Sequence, residues 1–223
     1  MLCQVVAAAC YLQMNDLLDD CSKILISNLS HDTWLDTLLQ SRRYCLTAVP
    51  TAVYRYVVRH FCHRPKLLSR SALSKLTVED ICSIVDSDDI SAKEKEIFNV
   101  AYSWLRYCSE KTNQTAATVL SLIRFPLMSS EDLKVCSDKM SSLSVPIDTY
   151  SHLFEEAKRY AADPKNCSVD ERRAQARCLI NVVLASGGFT ATEHSTSRMQ
   201  LLQLENFVSY AEKVHENSNE PVG

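Results

Sequence analysis

The stretch SAKEKEIFNVAYSWLRYC, residues 91–108, decides the fold class of this chain. Its large apolar side chains recur at steps of three and four residues, which places them on one face of a helix. They are Ile97, Phe98, Ala101, Trp104, Leu105 and Cys108. A stripe this wide has to be buried against neighbouring helices, so it predicts a mainly helical protein.

Residue pairs on either side of this stripe carry the signature of helix starts. A hydroxyl and a carboxylate three residues apart can each accept a hydrogen bond from the other residue's backbone amide, which caps the first turn. The pairs are Thr77 with Asp80, Ser91 with Glu94, and Ser129 with Asp132. Three helix starts are therefore predicted.

The first sixty residues predict a rhythm of helix, turn and helix. A short helix is expected at Cys3–Leu12, and Asn15 is expected to cap a second helix that runs antiparallel to it. Asp32 is expected to cap a third helix, and Pro50 suits the first turn of a fourth. Further helices are predicted at 118–124 and 148–162.

Glycine does not occur before Gly187. At the average usage of about 7%, roughly 13 glycines would fall in a stretch of that length. Hairpin turns, phosphate loops and nucleophile elbows usually need glycine, because they require positive φ or a close backbone approach. We therefore expect helices joined by Ser, Asp, Asn and Pro, almost no left-handed turns, and a protein that is not an enzyme.

The first strand is predicted only near the end of the chain. Residues 179–184 read LINVVL, a β-branched run that stops at the turn signal Ser186-Gly187-Gly188. Met199–Leu204 is a second short strand candidate, and the tail from Asn217 is expected to be disordered. The predicted fold class is mainly α, with antiparallel helical hairpins followed by a short β segment and a disordered tail.

Composition and charge point to a packed protein whose partners are proteins. Hydrophobic residues make up 46% of the 223 residues and the formal net charge is −3, so nothing favours nucleic acid or a membrane as partner. Ten cysteines occur without a Cys-x-x-Cys pair, which indicates reduced thiols in the cytoplasm, or in the nucleus. The apolar opening Met1–Leu12 lacks a preceding Lys or Arg and is not expected to be an export signal.

One cluster contains residue types that bind metals. His60 and His63 flank Cys62, but structural zinc requires four ligands in two close pairs, and no second pair is present. A cation-rich helix end is the favoured interpretation, and no metal or cofactor is expected. The neighbouring cations Arg59 and Arg64 can lower the pKa of Cys62, which leaves a redox role for that thiol open.

A basic region and an acidic trio are both interpreted as structural features rather than as binding sites. A loosely basic region lies within residues 55–75, where few aromatic residues are interleaved, and it predicts a solvated face rather than a nucleic-acid site. Its members are Arg55, Arg59, Arg64, Lys66, Arg70 and Lys75. Asp86, Asp88 and Asp89 lack the glycine and the further ligands of a calcium loop, so they are expected to connect two helices. The sequence has no Ser/His/Asp signature, Walker loop or dinucleotide glycine motif, and no catalytic residue is assigned.

Four segments stand in a characteristic order along the chain. They are AAACYLQM at 7–14, His60-Phe61, EIFNVAYSWL at 96–105, and IRFPLM at 123–128. In this order they resemble the BTB-BACK-kelch, or kelch-like, family, and the resemblance covers residues 1–162. Val183–Phe189 is also similar to the strand and paired glycines that open a kelch blade.

The resemblance implies a division of the chain in which the BTB domain is lacking. Residues 1–30 correspond to the end of BTB with the first BACK helices, and residues 31–162 to the BACK helical domain. Residues 163–178 are then a linker, 179–206 a partial kelch blade, and 207–223 a tail.

The same resemblance implies a non-catalytic adaptor of a cullin-3 ubiquitin ligase. In that family BTB binds cullin, the first BACK helices add to the contact, and the kelch propeller holds the substrate. BACK is then a spacer, and a remaining cullin contact would lie within Cys3–Leu29. The alternative is a helical interaction scaffold, cytoskeletal or transcriptional, that does not act through cullin. Leu17, Cys21 and Leu25 are expected in the core, while an uncovered apolar patch at Cys3–Tyr11 favours self-association.

Overall fold

The computed structural model describes residues 2–61, 67–108, 112–164 and 167–177, and the backbone of residues 182–186 and 199–203. The helices in these ranges are α1 (Leu2–Tyr11), α2 (Asn15–Ser27), α3 (Trp34–Arg43), α4 (Ala48–His60), α5 (Arg70–Leu73), α6 (Val78–Val85), α7 (Glu94–Tyr107), α8 (Asn113–Ser121), α9 (Ser130–Met140), α10 (Ser151–Ala162) and α11 (Glu171–Ala174). Short 3-10 turns at Phe125–Leu127 and Ile147–Thr149 precede α9 and α10. The strands are β1 (Val182–Ser186) and β2 (Met199–Gln203).

The chain divides into two compact units, Met1–Arg177 and Cys178–Gly223. All of the helices above lie in the first unit, so the prediction of a mainly helical protein is confirmed. In this unit α1 packs against α2 and α3 against α4, while α7 contacts α5, α6, α8 and α9. The helix that decides the fold class therefore lies at the centre of the helical unit. None of the helices in the described ranges is long and apolar enough to cross a membrane.

The second unit contains an antiparallel pair of strands. Val182 of β1 lies opposite Gln203 of β2, and Ser186 lies opposite Met199. Both strands overlap the two that the sequence predicts. The paired glycines and the tail from Asn217 lie outside the described residues.

The stripe on α7 forms the core of the helical unit. Its first five members, Ile97, Phe98, Ala101, Trp104 and Leu105, are fully buried, and the sixth, Cys108, is half-buried. The indole Nε1 of Trp104 donates a hydrogen bond to the carbonyl of Leu76 at 3.0 Å. Phe98 meets Phe125 edge to face, with their ring centroids 6.0 Å apart. These contacts join α7 to the chain segments before and after it.

The capping box predicted at the start of α6 is confirmed. The Thr77 hydroxyl accepts from the Asp80 amide at 3.4 Å, and Asp80 Oδ2 accepts from the Thr77 amide at 2.6 Å. Asp80 is buried, and its carboxylate also accepts from the Tyr54 hydroxyl at 2.7 Å and pairs with Arg42. One capping carboxylate thereby connects α3, α4 and α6.

The start of α7 is displaced from its prediction. The helix begins at Glu94, so the predicted Ser91–Glu94 box is wrong. The carboxylate of Glu96 accepts from the Lys93 amide at 3.3 Å instead. The Glu94 carboxylate accepts hydrogen bonds from Arg177 and from the Arg124 amide.

The starts of α8 and α9 are partly as predicted. The Ser129 hydroxyl accepts from the Asp132 amide at 3.1 Å, but the Asp132 carboxylate binds Lys95 at 2.6 Å, so half of the expected box forms. α8 begins at Asn113, earlier than predicted, because the Thr112 hydroxyl caps it by accepting from the amide three residues on. A hydroxyl therefore caps the first turn of both α8 and α9.

The caps predicted at Asn15 and Asp32 are wrong. Asn15 is already the first residue of α2, because the turn after α1 leaves Met14 in the N-cap position. α3 begins at Trp34 with Thr33 in the N-cap position, and neither of these two caps has a side-chain hydrogen bond. Both helices therefore begin without the chemistry that the sequence suggested.

Left-handed residues end two helices without glycine. Gln13 and Cys45 both have a φ of 55°, and they are the non-glycine residues with positive φ in the described part of the chain. The amides of Gln13 and Met14 donate to the carbonyls of Cys10 and Ala9, and the two amides after α3 are arranged in the same way. This is the Schellman arrangement, which glycine usually occupies because a β-carbon is crowded there. The near absence of glycine therefore does not abolish left-handed turns here.

Candidate protein-interaction site

The end of the helical unit formed by α1 and α2 exposes large apolar side chains. Tyr11 is 87% exposed and Leu12 is 61% exposed, and Val5, Met14 and Ile24 are also open to solvent. Of the seven strongly exposed large hydrophobic residues in the described part of the chain, these five lie within the first 24 residues. We call them the α1–α2 face. Such a concentration is typical of a surface that another protein covers.

The α1–α2 face is positioned by a small core between the two helices. Val6 and Ala9 of α1 are buried, as are Cys21 and Leu25 of α2. Leu17 is partly buried against the same core. The expected core role of the α2 stripe is thus confirmed for its central members. The Schellman turn at Gln13 follows the exposed Tyr11 and Leu12 directly.

A cavity of about 180 Å³ lies beside the start of α2. Its wall is formed by residues of α2, including Asn15, Asp19 and Ser22, and by the α3–α4 connection around Cys45. The volume is below the roughly 300 to 1,000 Å³ that is usual for small-molecule sites. This cavity is therefore small for a bound cofactor.

A buried arginine closes the other end of the helical unit. Arg177 is only 8% exposed, and its Nε donates to Glu94 Oε1 at 2.6 Å while Nη2 lies 3.4 Å from Oε2. Its Nη1 reaches the carbonyls of Val85 and Ser87 at 2.6 and 3.0 Å, and Nη2 that of Leu122 at 2.8 Å. All five N–H groups of the guanidinium therefore have an acceptor.

Two more arginines join the same acidic connection between α6 and α7. The buried Arg124 pairs with Asp88 through its guanidinium and donates its backbone amide to the Glu94 carboxylate at 3.0 Å. Arg172 pairs with Asp86 at 3.1 Å. We name this group, completed by Arg177, the arginine clasp. It binds residues 167–177 to the helical body.

The acidic trio predicted to connect two helices lies in the α6–α7 connection, and Asp86 and Asp88 pair with arginines of the clasp. Burial acts to raise the pKa of Asp88, but the guanidinium of Arg124, with weaker help from Arg172 and Arg177, outweighs it and holds that pKa below its usual value. These carboxylates are therefore ion-pair acceptors in the fold.

The remaining sequence candidates are only partly described. His60 Nδ1 lies 2.8 Å from the Tyr56 carbonyl, and the two rings are 4.2 Å apart. Cys62 and His63 lie outside the described residues, so the redox role proposed for Cys62 stays a prediction. Within the described ranges, no group of three His, Cys, Asp or Glu residues could hold a metal ion.

No local pattern marks Arg177 as important. Its acceptors lie 55 to 92 residues earlier in the chain, beyond the reach of helical spacing or capping rules. The signal that was available is one of charge. The sequence contains an acidic trio within residues 86–89 and a later basic segment with Arg172, Arg173 and Arg177. Their opposite charges indicate that the two segments can pair.

Comparison with known proteins places these features in a family. The family model for BACK, described as "BTB And C-terminal Kelch", matches residues 34–138. Kelch-like protein 13 of Homo sapiens is 29% identical over 211 residues, which are 94% of this chain and 30% of that protein. Residues 34–138 match the BACK family, and most of the chain is similar to kelch-like proteins. α3 through most of α9 belong to the part that the family model matches.

Other relatives match the same region. Kelch-like protein 31 of Homo sapiens is 26% identical over 196 residues, covering 87% of this chain and 30% of that protein. Kelch-like protein 9 of Mus musculus is 32% identical over 127 residues, covering 56% of this chain and 20% of that protein. The chain thus spans less than a third of the length of these relatives.

Proposed function

We propose that this BACK region is a non-catalytic spacer in an adaptor that brings a cullin-3 ubiquitin ligase to its substrate. The observation that carries the proposal is the α1–α2 face, which exposes Tyr11 and Leu12 next to a rigid helical body. In the family reading, the first BACK helices add to a cullin contact made by a preceding BTB domain. The exposed side chains lie in those helices.

Physical reasoning supports a contact at this face. Burying a Tyr or Leu side chain contributes about 1.5–3 kcal/mol, and aromatic residues often dominate binding at interfaces. The well-packed core behind α1 and α2 holds the face in place without a partner. A pre-formed surface loses less conformational freedom when it binds.

The spacer role is supported by the central packing of α7 and by the clasp. A helical body with one close-packed core is rigid, so it keeps the domains on either side of it at a fixed distance. The proposal places the protein in the cytoplasm, with the nucleus as the alternative compartment. The competing proposal is a cytoskeletal or transcriptional scaffold that does not use cullin.

Binding of purified cullin-3 to the immobilised chain, followed by biolayer interferometry, tests the proposal. The double variant Tyr11→Ala/Leu12→Ala should bind about 10- to 100-fold more weakly, since it removes two exposed apolar side chains from the contact. Its thermal unfolding should stay unchanged, because both residues are exposed in the free chain.

A matched control removes two other exposed apolar side chains. Ile147 is 64% exposed and Leu127 is 36% exposed, and both lie in the 3-10 turns outside α1 and α2. The variant Leu127→Ala/Ile147→Ala should bind cullin-3 like the unchanged chain. Absence of binding by the unchanged chain, or an equal loss in the control, would contradict the proposal and favour a scaffold that does not act through cullin.

Self-association is the competing use of the same face. Sedimentation of the unchanged chain and of Tyr11→Ala/Leu12→Ala separates the two uses. A dimer that dissociates in the variant would show that a second copy covers the α1–α2 face when cullin-3 is absent.

A further inference from the structure

Positive charge is concentrated in one part of this acidic chain. Between Asp36 and Glu79 there is no Asp or Glu, although the whole chain has 27. The same stretch contains eight of the chain's 24 Lys and Arg residues. They are Arg42, Arg43, Arg55, Arg59, Arg64, Lys66, Arg70 and Lys75. A net charge of −3 for the chain therefore hides a strongly basic segment.

The structure brings part of this segment onto the end of α7. The guanidinium of Arg70 lies over the ring of Tyr107, 4.6 Å from its centroid. The guanidinium of Arg106 lies 5.9 Å from the same centroid. Both arginines are exposed and Tyr107 is half-buried. Two cations are thus held at one aromatic ring on the surface of the helical unit.

A third and a fourth cation extend this cluster along the surface. Lys75 is exposed and follows α5, the short helix that starts at Arg70 and packs against α7. The guanidinium of Arg42 lies 3.4 Å from the Lys75 carbonyl and is also paired with the buried Asp80. We call Arg70, Lys75, Arg106 and Tyr107 the basic strip.

Among the described residues, the basic strip has no carboxylate partners of the kind found in the arginine clasp. In the arginine clasp each guanidinium has an acidic partner, whereas Arg70, Lys75 and Arg106 have no ion pair with a described Asp or Glu. Like charges gathered at one ring repel each other, and a negative group placed between them relieves that repulsion. Arg106 lies in the last turn of α7, where the negative end of the helix dipole stabilises a positive charge. The dipole therefore explains why a cation is favourable at this one position.

We propose that the basic strip is a docking surface for an acidic segment of a partner protein. Carboxylates of the partner would pair with Arg70 and Arg106, which Tyr107 holds apart in fixed positions. A stacked guanidinium keeps its N–H edge free for a carboxylate while its face lies on the ring. This surface is separate from the α1–α2 face, and it does not depend on a contact with cullin-3.

Nucleic acid fits the strip less well than an acidic peptide does. Single strands are bound mainly by stacking of bases on exposed aromatic faces. Here the one aromatic ring of the strip is already approached by Arg70 at 4.6 Å. The overall negative charge of the chain also opposes the long-range attraction of a polyanion.

Fluorescence anisotropy of a fluorescein-labelled deca-glutamate peptide, titrated with the full 223-residue chain, tests this proposal. Binding should weaken at least tenfold in Arg70→Glu/Arg106→Glu, and it should also weaken when sodium chloride is raised from about 50 to 500 mM. The variant Arg70→Ala/Arg106→Ala should show an intermediate loss. Unchanged circular dichroism of each variant shows that the fold is intact.

The matched control changes the net charge equally at a distant place. Lys134 and Lys158 are exposed on α9 and α10. The start of α9 contacts α7 at Lys95, and Lys95 lies about 18 Å along the axis of α7 from Tyr107. Lys134→Glu/Lys158→Glu should change the affinity less than twofold. An equal loss in both double variants, no binding by the unchanged chain, or tighter binding of a labelled oligothymidine than of deca-glutamate would each overturn the proposal.

Discussion

Arg177 and Glu94 form an ion pair with a distance of 2.6 Å inside the helical unit, although 83 residues separate them in the sequence. The two side chains are both more than nine-tenths buried. Buried charges of this kind are stable only when each has a full set of partners. This contact makes residues 167–177 part of the helical unit.

Replacing Arg177 with alanine should lower the free energy of unfolding by about 3–5 kcal/mol, because Glu94 would be left buried without its counter-charge. Urea unfolding followed by circular dichroism measures the loss. Arg172→Ala is the control, since Arg172 is about half exposed and its ion pairs should contribute less than about 1 kcal/mol. Similar losses in the two variants would contradict the assignment of Arg177 as the main contact.

Glycine at the two left-handed positions should stabilise the chain. Gln13→Gly and Cys45→Gly should each raise the free energy of unfolding by about 0.5–1 kcal/mol, since glycine relieves the crowding of the β-carbon at positive φ. Gln13→Ala keeps a β-carbon and should give no gain. The unfolding temperatures of the three variants test this prediction. A glycine variant that is no more stable than the unchanged chain would contradict it.

The thiols should react with iodoacetamide in the order of their exposure. Cys3 and Cys45 are exposed, whereas burial raises the pKa of the Cys136 thiol to about 11. At pH 8 Cys136 should react at least a hundredfold more slowly than an ordinary thiol, because so little of it is thiolate. Peptide mass spectrometry after timed labelling gives the rates. Labelling of Cys136 at the rate of Cys3 would show that its site opens readily.

Cys136 should also make the stability of the fold depend on pH in the alkaline range. Its pKa is raised in the folded state, so the stability contributed by the neutral thiol is present below about pH 9 and is lost as the pH rises toward 11. Cys136→Ala should remove this part of the decline between pH 9 and 11. The same iodoacetamide labelling measures the reaction rate of Cys62. A rate no faster than that of a free thiol would reject a redox role for Cys62.

Asp88 should stabilise the fold at neutral pH and not in strong acid. Its pKa is lowered in the folded state, so its contribution is present above the ordinary value of 3.8 and is lost as the pH falls through the lower folded value. Asp88→Asn should cost less than about 1 kcal/mol at pH 7, because the carboxyl is largely exposed. Urea unfolding at pH 7, 5 and 3 should show the difference shrinking below about pH 4.

Local sequence patterns predicted those parts of the BACK region that depend on neighbouring residues. The stripe on α7 and the Thr77–Asp80 box are found as expected, because both involve residues within a few helical turns. The resemblance to the kelch-like family is supported by the BACK match at residues 34–138.

The errors occur where distant residues compete for the same side chain. Glu94 has the right spacing from Ser91 to cap a helix, but α7 begins at Glu94 itself and its carboxylate pairs with Arg177. Asp132 is likewise taken from its box by Lys95 of α7. The apolar patch predicted at Cys3–Tyr11 includes Val5 and Tyr11 of the α1–α2 face, but Leu12, Met14 and Ile24 lie outside it. The clasp and the basic strip depend on tertiary contacts that spacing does not reveal.

The long sequence separation within the clasp sets an order of events during synthesis. Glu94 is translated 83 residues before Arg177, so at about 5–20 residues per second it waits roughly 4–17 s for its partner. During that time burial of the unpaired carboxylate is strongly unfavourable. The packing of α7 is therefore less stable until Arg177, the last residue of the helical unit, has been made. Nascent chains halted before that residue should hold a loosened core.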